Sequence, residues 1–362
     1  MARVLSTLSL SAALLASALT TQAMAQAVTL PPQADPGRID QFMPRDARPD
    51  VSGQPLFEGL QDEKGKPLPA DITFTLDSVM VEGNSVFSDD ELQALYADKL
   101  GKTVSLPDLQ AIADAITVKY RNAGYILSRA ILPQQRIGSG EVKIQVVEGY
   151  VSGVVFDGDV PEDISQLQAY ASKMEEARPL KGADLERFLL LLNDLGGLNA
   201  NGILRAADSG LGASQVVVTL SEDQIDGYAS VDNRGGRYLG PSQVSGGVSL
   251  HSLLGQHETI SVRTLQSGDL EELSYYEMSF EAPVGALGTR ARALVSYSQT
   301  EPGGNVEAFD IEGESVAATL SVTHPYIRSR QENLFLDAGF VYRNSESDTF
   351  GVNIFDDRIR TL

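Results

Sequence analysis

From Ile72 onward the apolar residues come in short blocks whose spacing switches between two and three-to-four. Ile72, Phe74, Leu76 and Val79-Met80-Val81 predict a strand, closed by the turn Glu82-Gly83-Asn84. Ser88-Asp89-Asp90-Glu91 has the form of a capping box, in which the hydroxyl accepts from the first helical turn and the carboxylate reaches back. Leu92, Leu95 and Tyr96 give that helix its buried side. A second box, Ser105-Leu106-Pro107-Asp108, opens a helix on which Leu109, Ile112, Ala113, Ile116 and Tyr120 make one continuous apolar face ending at Gly124. Strands are predicted over Tyr125 to Leu132 and Val142 to Val147. The order β-α-α-β-β then recurs, with a strand over Val151 to Phe156, helices over Ile164 to Met174 and Asp184 to Leu195, and strands over Ile203 to Ala206 and Gln215 to Leu220. Two tandem copies of one small α+β unit follow from this.

After about Gln224 the helical spacing disappears and the alternation has period two. Tyr276, Met278, Phe280 and Ala282 share one face, and Tyr275, Glu277, Ser279 and Glu281 the other. Ala291, Ala293, Val295 and Tyr297 likewise oppose Arg290, Arg292, Ser296 and Ser298. Such alternation fits a soluble sandwich as well as a transmembrane barrel. The barrel is favoured by segments of about nine to eleven residues, by short Gly/Pro turns such as Pro283-Val284-Gly285, and by Tyr and Phe at segment ends.

Upstream, Arg3, the apolar stretch Leu5 to Leu19 and Ala23-Met24-Ala25 read as a signal peptide over residues 1–25. Residues 26–70 are rich in Pro and lack periodicity, as in a linker or mobile arm. No later run reaches the ~18 apolar residues of a spanning helix, so a membrane-spanning form of this chain requires a closed barrel.

Composition narrows the chemistry. With 28 Lys+Arg against 49 Asp+Glu the net charge is −21, which argues against nucleic acid as a partner. With no Cys, thiol catalysis, thiolate metal sites and disulfides are excluded. His251, His257 and His324 show no metal-ligand spacing, and His251 and His257 are expected to be solvated or to face a lumen. There is no G-x-S-x-G elbow and no phosphate-binding loop; Gly210-Leu211-Gly212 reads as a hairpin turn. Neither a catalytic residue, a metal site nor a cofactor is expected, and the protein is read as a non-enzyme.

Several segments resemble the two-partner secretion transporters, the haemolysin-activator and filamentous-adhesin exporters. Val81-Glu82-Gly83-Asn84-Ser85-Val86-Phe87, Tyr120-Arg121-Asn122-Ala123-Gly124-Tyr125, Arg129-Ala130-Ile131-Leu132-Pro133-Gln134-Gln135 and Val146-Val147-Glu148-Gly149-Tyr150 resemble their first POTRA domain. Arg178-Pro179-Leu180, Leu185-Glu186-Arg187 and Leu191-Leu192-Asn193-Asp194 resemble the second. Val231-Asp232-Asn233-Arg234-Gly235-Gly236 with Gly240, and His324-Pro325-Tyr326-Ile327-Arg328-Ser329-Arg330, are similar to barrel segments. Gly196-Gly197 stands where the family more usually has Pro-Gly, and the arm shows none of the helical pattern with which relatives plug their pore.

The resemblance implies an α+β POTRA tandem, residues 71–149 and 150–223, followed over 224–362 by the first seven to eight strands of an antiparallel transmembrane barrel. The chain reads as an N-terminal fragment of such a transporter, ending in mid-strand. The implied activity is secretion, without ATP, of a large partner exoprotein of adhesin or haemolysin type. Its N-terminal secretion signal would be captured by strand addition at a sheet edge, with Tyr125, Leu127, Arg129 and Ile131 as the candidate docking strand. Glu277, Glu281, Arg290 and Arg292 would line the lumen. The further partners implied are outer-membrane lipid and the barrel-assembly machinery, with a monomeric protein in the outer membrane and its POTRA domains in the periplasm. A related insertase and a soluble periplasmic peptide-binding module remain as alternatives.

Overall fold

The computed structural model describes residues 34–43, 57–58, 69, 71–138 and 140–362. The expected signal peptide and most of the Pro-rich arm lie outside the described residues.

One piece of the arm, β1 (Phe57–Glu58), pairs in parallel with a strand of the second unit. The first unit runs β2 (Thr73–Thr75), β3 (Ser78–Glu82), α1 (Asp89–Gln93), β4 (Thr103–Ser105), α2 (Leu106–Asn122), β5 (Arg129–Ile131) and β6 (Glu141–Val147). The single first strand expected from the sequence breaks at Leu76-Asp77. Leu76 turns into the core at 0% exposure, and its two halves serve different sheets, β2–β4 and β3-β6-β5. Both capping boxes form. Ser88 N–H donates to Glu91 Oε2 at 3.0 Å, and Ser105 N–H to Asp108 Oδ2 at 2.9 Å. The face of α2 predicted to be apolar is the buried one, with Leu109, Ile112, Ala113, Ile116 and Tyr120 in one cluster with Val142, Ile144 and Val146.

The second unit runs β7 (Tyr150–Gly158), α3 (Ser165–Glu175), α4 (Gly182–Asn193), β8 (Leu198–Ala206) and β9 (Ala213–Glu222). Its topology repeats the first: the opening strand lies parallel to the last, and the intervening strand is antiparallel to it. Its core is separate, built from Leu185, Leu189 and Leu192 of α4 against Val216, Val218 and Leu220 of β9.

The remainder is one antiparallel meander in sequential order: β10 (Ile225–Asp232), β11 (Gln243–His251), β12 (Thr259–Ser267), β13 (Leu273–Val284), β14 (Thr289–Thr300), β15 (Ile311–Arg328), β16 (Asn333–Thr349) and β17 (Val352–Thr361). Eight full strands are present, and β15 and β16 run to 18 and 17 residues, longer than the sequence pattern suggested. Register puts Val248, Val262, Met278, Val295, Ala318 and Tyr342 in one row. Val262, Met278 and Val295 in that row are more than half exposed, with no second sheet packed over them among the described residues. A soluble sandwich would bury this face against another sheet. An apolar outer face with a polar inner one is the arrangement of a transmembrane wall.

Candidate functional site

The inner face of the wall carries alternating charge. Arg263, Glu277, Ser296, Ala317 and Arg343 form one register row, and Glu281 stands opposite Arg292 in another. Glu277 lies 3.9 Å from Arg263 and 3.8 Å from Arg292, and it accepts from the Tyr275 hydroxyl at 2.8 Å. Glu281 pairs with Arg290 at 3.3 Å. Glu277, Glu281, Arg290 and Arg292 therefore share the face opposite the apolar one, with their charges locally balanced.

Against this inner face sits part of the arm. Residues Pro36–Phe42 form a short 3₁₀ helix, its start capped by Asp35, whose Oδ1 accepts from Gly37 N–H at 2.9 Å. The Ser298 hydroxyl donates to Pro36 O at 2.7 Å, and Arg343 clasps both Gly37 O and Asp40, the latter at 2.8 Å. Ala34, Ile39 and Met43 nest among Leu239, Leu265, Leu273 and Tyr275. Sequence reading gave the arm no helix and treated it as a linker. Ordering here comes from these long-range contacts, which supply what about two turns of 3₁₀ helix lack by themselves.

The second unit is seated on the wall's near rim. Arg328 of β15 makes a bidentate pair with Asp194, which caps the C-terminal end of α4, at 2.8 and 2.7 Å. Arg187 of α4 donates to Leu287 O and Pro325 O, Gln166 of α3 to Gly285 O, and Arg330 N–H to Glu186. Gly196 makes close approach possible: a Cβ there would stand 2.7 Å from His251 Nδ1 and collide with Thr259. The departure from Pro-Gly at this position thus has a structural counterpart. His251 is buried between Asp226 at 2.9 Å and Thr259 at 3.0 Å, and His257 is 3% exposed in the β11–β12 turn. Neither is solvated. His251, in register with Thr259 and Glu281, lies on the inner face, which is the lumen-facing alternative of the sequence reading; His257 lies in the turn, and the joint with the second unit encloses both.

His257 Nε2 has no hydrogen-bond partner among the described residues. It lines a cavity of about 10 Å³ with Asp194, Thr259, Glu281 and Arg290. Burial holds its pKa below the ordinary value, opposed by Glu222, Asp163 and Glu258. An undocked ring titrates near ~6.5. Below that pH the undocked state binds more protons than the docked one, so the seat weakens as pH falls from neutrality through the depressed value. The protection factors of amides in residues 252–258, with the intrinsic pH dependence of exchange divided out, are expected to fall between about pH 7 and 5, and His257→Gln is expected to remove that fall.

The candidate docking strand is only partly a strand. Arg129 and Ile131 lie on β5 at a sheet edge, but Tyr125 and Leu127 lie in a turn. Gly124, at φ +90°, ends α2, and the turn doubles back so that Tyr125 N–H donates to Tyr120 O. Leu127 then packs on the core of the second unit, and Gly182 N–H donates to Gly124 O. The period-two spacing of Tyr125, Leu127, Arg129 and Ile131 thus combines a joint between the two units with a three-residue strand. That short edge is also blunted, because Ala130 N–H donates to Thr117 of α2. The longer edge is β8, nine residues long, which pairs with β1 of the arm.

A tandem of α+β units set on the rim of an antiparallel wall, apolar outside and charged within, defines a POTRA-and-barrel protein of the outer membrane, its POTRA domains periplasmic and its barrel partial. The model of the POTRA domain, ShlB-type, matches residues 74–149, and that of the haemolysin secretion/activation protein ShlB/FhaC/HecB matches residues 212–357. The chain belongs to this family of two-partner secretion transporters. It is 27% identical over 290 residues to the heme/hemopexin transporter protein HuxB of Haemophilus influenzae (strain 86-028NP), covering 78% of this chain and 51% of that one. It is 27% identical over 212 residues to the outer membrane transporter CdiB of Escherichia coli O6:K15:H31 (strain 536 / UPEC), covering 58% and 35%. The chain spans about half the length of the HuxB relatives it matches. The solved structure of CdiB from Escherichia coli superposes with a TM-score of 0.65 at 23% identity, covering 84% of this chain and 57% of that one, which establishes the shared fold.

Proposed function

We propose that the chain supplies the recognition module and the first part of the wall of an outer-membrane pore that secretes a large partner exoprotein, of adhesin or haemolysin type, without ATP. The observation that supports the reading is the seating of a POTRA tandem, through its second unit, at the near rim of a charge-lined wall. An extended client leaving the tandem meets that wall directly. Its N-terminal secretion signal docks by strand addition, in which backbone N–H and C=O groups supply affinity and alternate side chains supply specificity. The β8 edge suits this role better than β5, because it already accepts an extended segment, Phe57–Glu58.

Inside the pore, Glu277, Glu281, Arg290 and Arg292 present a wet surface of balanced charge, which neither traps nor repels a polar chain. The apolar outer face meets outer-membrane lipid, and the barrel-assembly machinery inserts the monomer. Neither nucleotide nor cofactor takes part, and folding of the client outside provides direction.

Deleting residues 72–149 is expected to abolish client secretion while the barrel still reaches the outer membrane, read by immunoblot of medium and membrane fractions. Undiminished secretion by that variant would remove the docking role.

A further inference from the structure

The glycine-rich segment between β10 and β11, which carries part of the family resemblance, has no role in docking or in lining the wall. It lies at the end of the wall away from the POTRA tandem, because β10 leaves the second unit at Ile225 and each hairpin alternates ends. Instead of standing out into solvent, the loop turns back over the inner face. Leu239 is 3% exposed, buried with Ile39 and Met43 of the arm and with Leu265, Leu273 and Tyr275 of the wall. Gly235 N–H donates to Pro241 O at 3.2 Å and Leu239 N–H to Gly236 O at 3.2 Å, so the loop is closed on itself. Gly240 is packed so closely that a Cβ would stand 2.8 Å from Ser267 Cβ.

A second loop holds the first. The segment between β14 and β15 includes a 3₁₀ turn, Gly304–Phe309, with Val306 buried. Gly303 N–H donates to Tyr238 O at 3.0 Å, and Arg237 donates to Asn305. Three elements distant in sequence are therefore linked in series: the arm packs on the β10–β11 loop through Leu239, and that loop is bonded to the β14–β15 loop. Leu239 thus packs on the arm segment at this end of the wall.

We infer that the β10–β11 loop is a lid over the outer exit, seated on the arm by Leu239 and fastened to the β14–β15 loop through Arg237, Tyr238 and Asn305. The inference rests on the reading of the protein as a pore. Passage of a client requires the fastening to open and Leu239 to lift with or before the arm. Two loops that release together let the resting exit stay closed to small solutes while yielding to a threaded chain.

These 362 residues hold no Cys, and any cysteine in the remainder of the transporter is replaced by serine, so that the designed pair reports without background. The full transporter carrying Arg237→Cys and Asn305→Cys is tested oxidised and reduced, in planar bilayers for ion conductance and in cells for client secretion. The expected result is that the oxidised form neither secretes nor shows large openings, and that reduction restores both. A disulfide proved by gel shift in molecules that secrete and open as the parent does would overturn the lid.

Leu239→Asn provides a second reading that needs no disulfide. A polar group forced into that apolar nest shifts the lid toward open, and the resting conductance should rise about tenfold or more. Resting conductance equal to the parent's would sink the proposal. Conductance needs no client, so a lid that behaves as described in a protein that secretes nothing would refute the secretion reading and leave the lid standing.

Discussion

Arg328→Ala is expected to destabilise the seating of the second POTRA domain on the barrel rim by about 3–5 kcal/mol, because it strands a buried carboxylate. Asp194 and Arg328 are almost wholly buried, at 11% and 5% side-chain exposure, and joined by two short parallel bonds. Removing the guanidinium leaves Asp194 its position at the end of α4, where the helix dipole already disfavours negative charge. Arg328 also donates to Asn333 at 2.9 Å, which the alanine variant loses as well.

Arg328→Lys should recover only part of the effect, since an ammonium is a point charge and cannot satisfy both carboxylate oxygens in the fork geometry. Asp194→Ala combined with Arg328→Met should be milder than Arg328→Ala alone, because no unpaired charge remains. Spin labels at Lys173→Cys and Asn353→Cys read this directly: a single narrow distance distribution in the parent, broadened in Arg328→Ala and narrow again in the double variant. Equal broadening in the single and double variants would show that the pair contributes through packing alone.

This seat also explains which parts of the molecule were legible in the sequence. The helix α2 and its boxes could be read because their determinants lie within a few residues of each other: Ser105 finds Asp108 three positions on, and the five buried residues recur with the helical period. The sharing of one face by Glu277, Glu281, Arg290 and Arg292 was legible for the same reason, since alternation along a strand decides it. Their partners were not. Whether Arg292 stands beside Glu281 or two positions away depends on the β13–β14 turn, and a shift of one residue would turn the strand over.

The arm shows the limit of local pattern. Ala34, Ile39 and Met43 have no helical stripe, and what orders them is Leu239, Leu265 and Tyr275, some two hundred residues away. Tyr125 and Leu127 misled in the opposite sense. Their alternation with Arg129 and Ile131 has the period of a strand, yet Gly124 turns the chain and Leu127 serves a neighbouring domain. Period alone does not distinguish a strand from two contacts made on either side of a bend.

Glu148→Ala is expected to unfold the first POTRA domain more effectively than any single large-to-small change on its surface, at a cost of about 3–4 kcal/mol. The sequence singled out Val81-Glu82-Gly83-Asn84-Ser85 and Val146-Val147-Glu148-Gly149 as separate motifs, and the structure shows them to be two halves of one device. Glu148 accepts from Ser85 N–H at 2.6 Å, the Ser85 hydroxyl at 2.5 Å, Val86 N–H at 3.1 Å and the buried Tyr120 hydroxyl at 2.7 Å. One carboxylate thereby ties the loop after β3 to the last strand and to the end of α2. Alanine leaves the part-buried Val86 N–H and the phenol of Tyr120, 0% exposed, without their acceptor, and such unmet donors cost more than the lost bonds themselves are worth; the exposed Ser85 donors turn to water.

Glu148→Gln should cost less, about 1–3 kcal/mol, since one oxygen remains to accept. The carboxylate form also sets a pH dependence. Burial would raise the Glu148 pKa, but the Ser85, Tyr120 and Val86 donors together hold it below the usual carboxylate value. A group whose folded pKa is depressed gives stability that is complete above its unfolded value, near ~4.3, and is lost as pH falls through the folded one. Urea unfolding of a tandem fragment spanning residues 71–223 should therefore show the parent losing stability below about pH 4, with a shallower loss in Glu148→Gln. Parallel pH profiles for the two would mean that other carboxylates, such as Glu91 and Asp108 with their own serine caps, carry the acid sensitivity, and that Glu148 acts only as an acceptor.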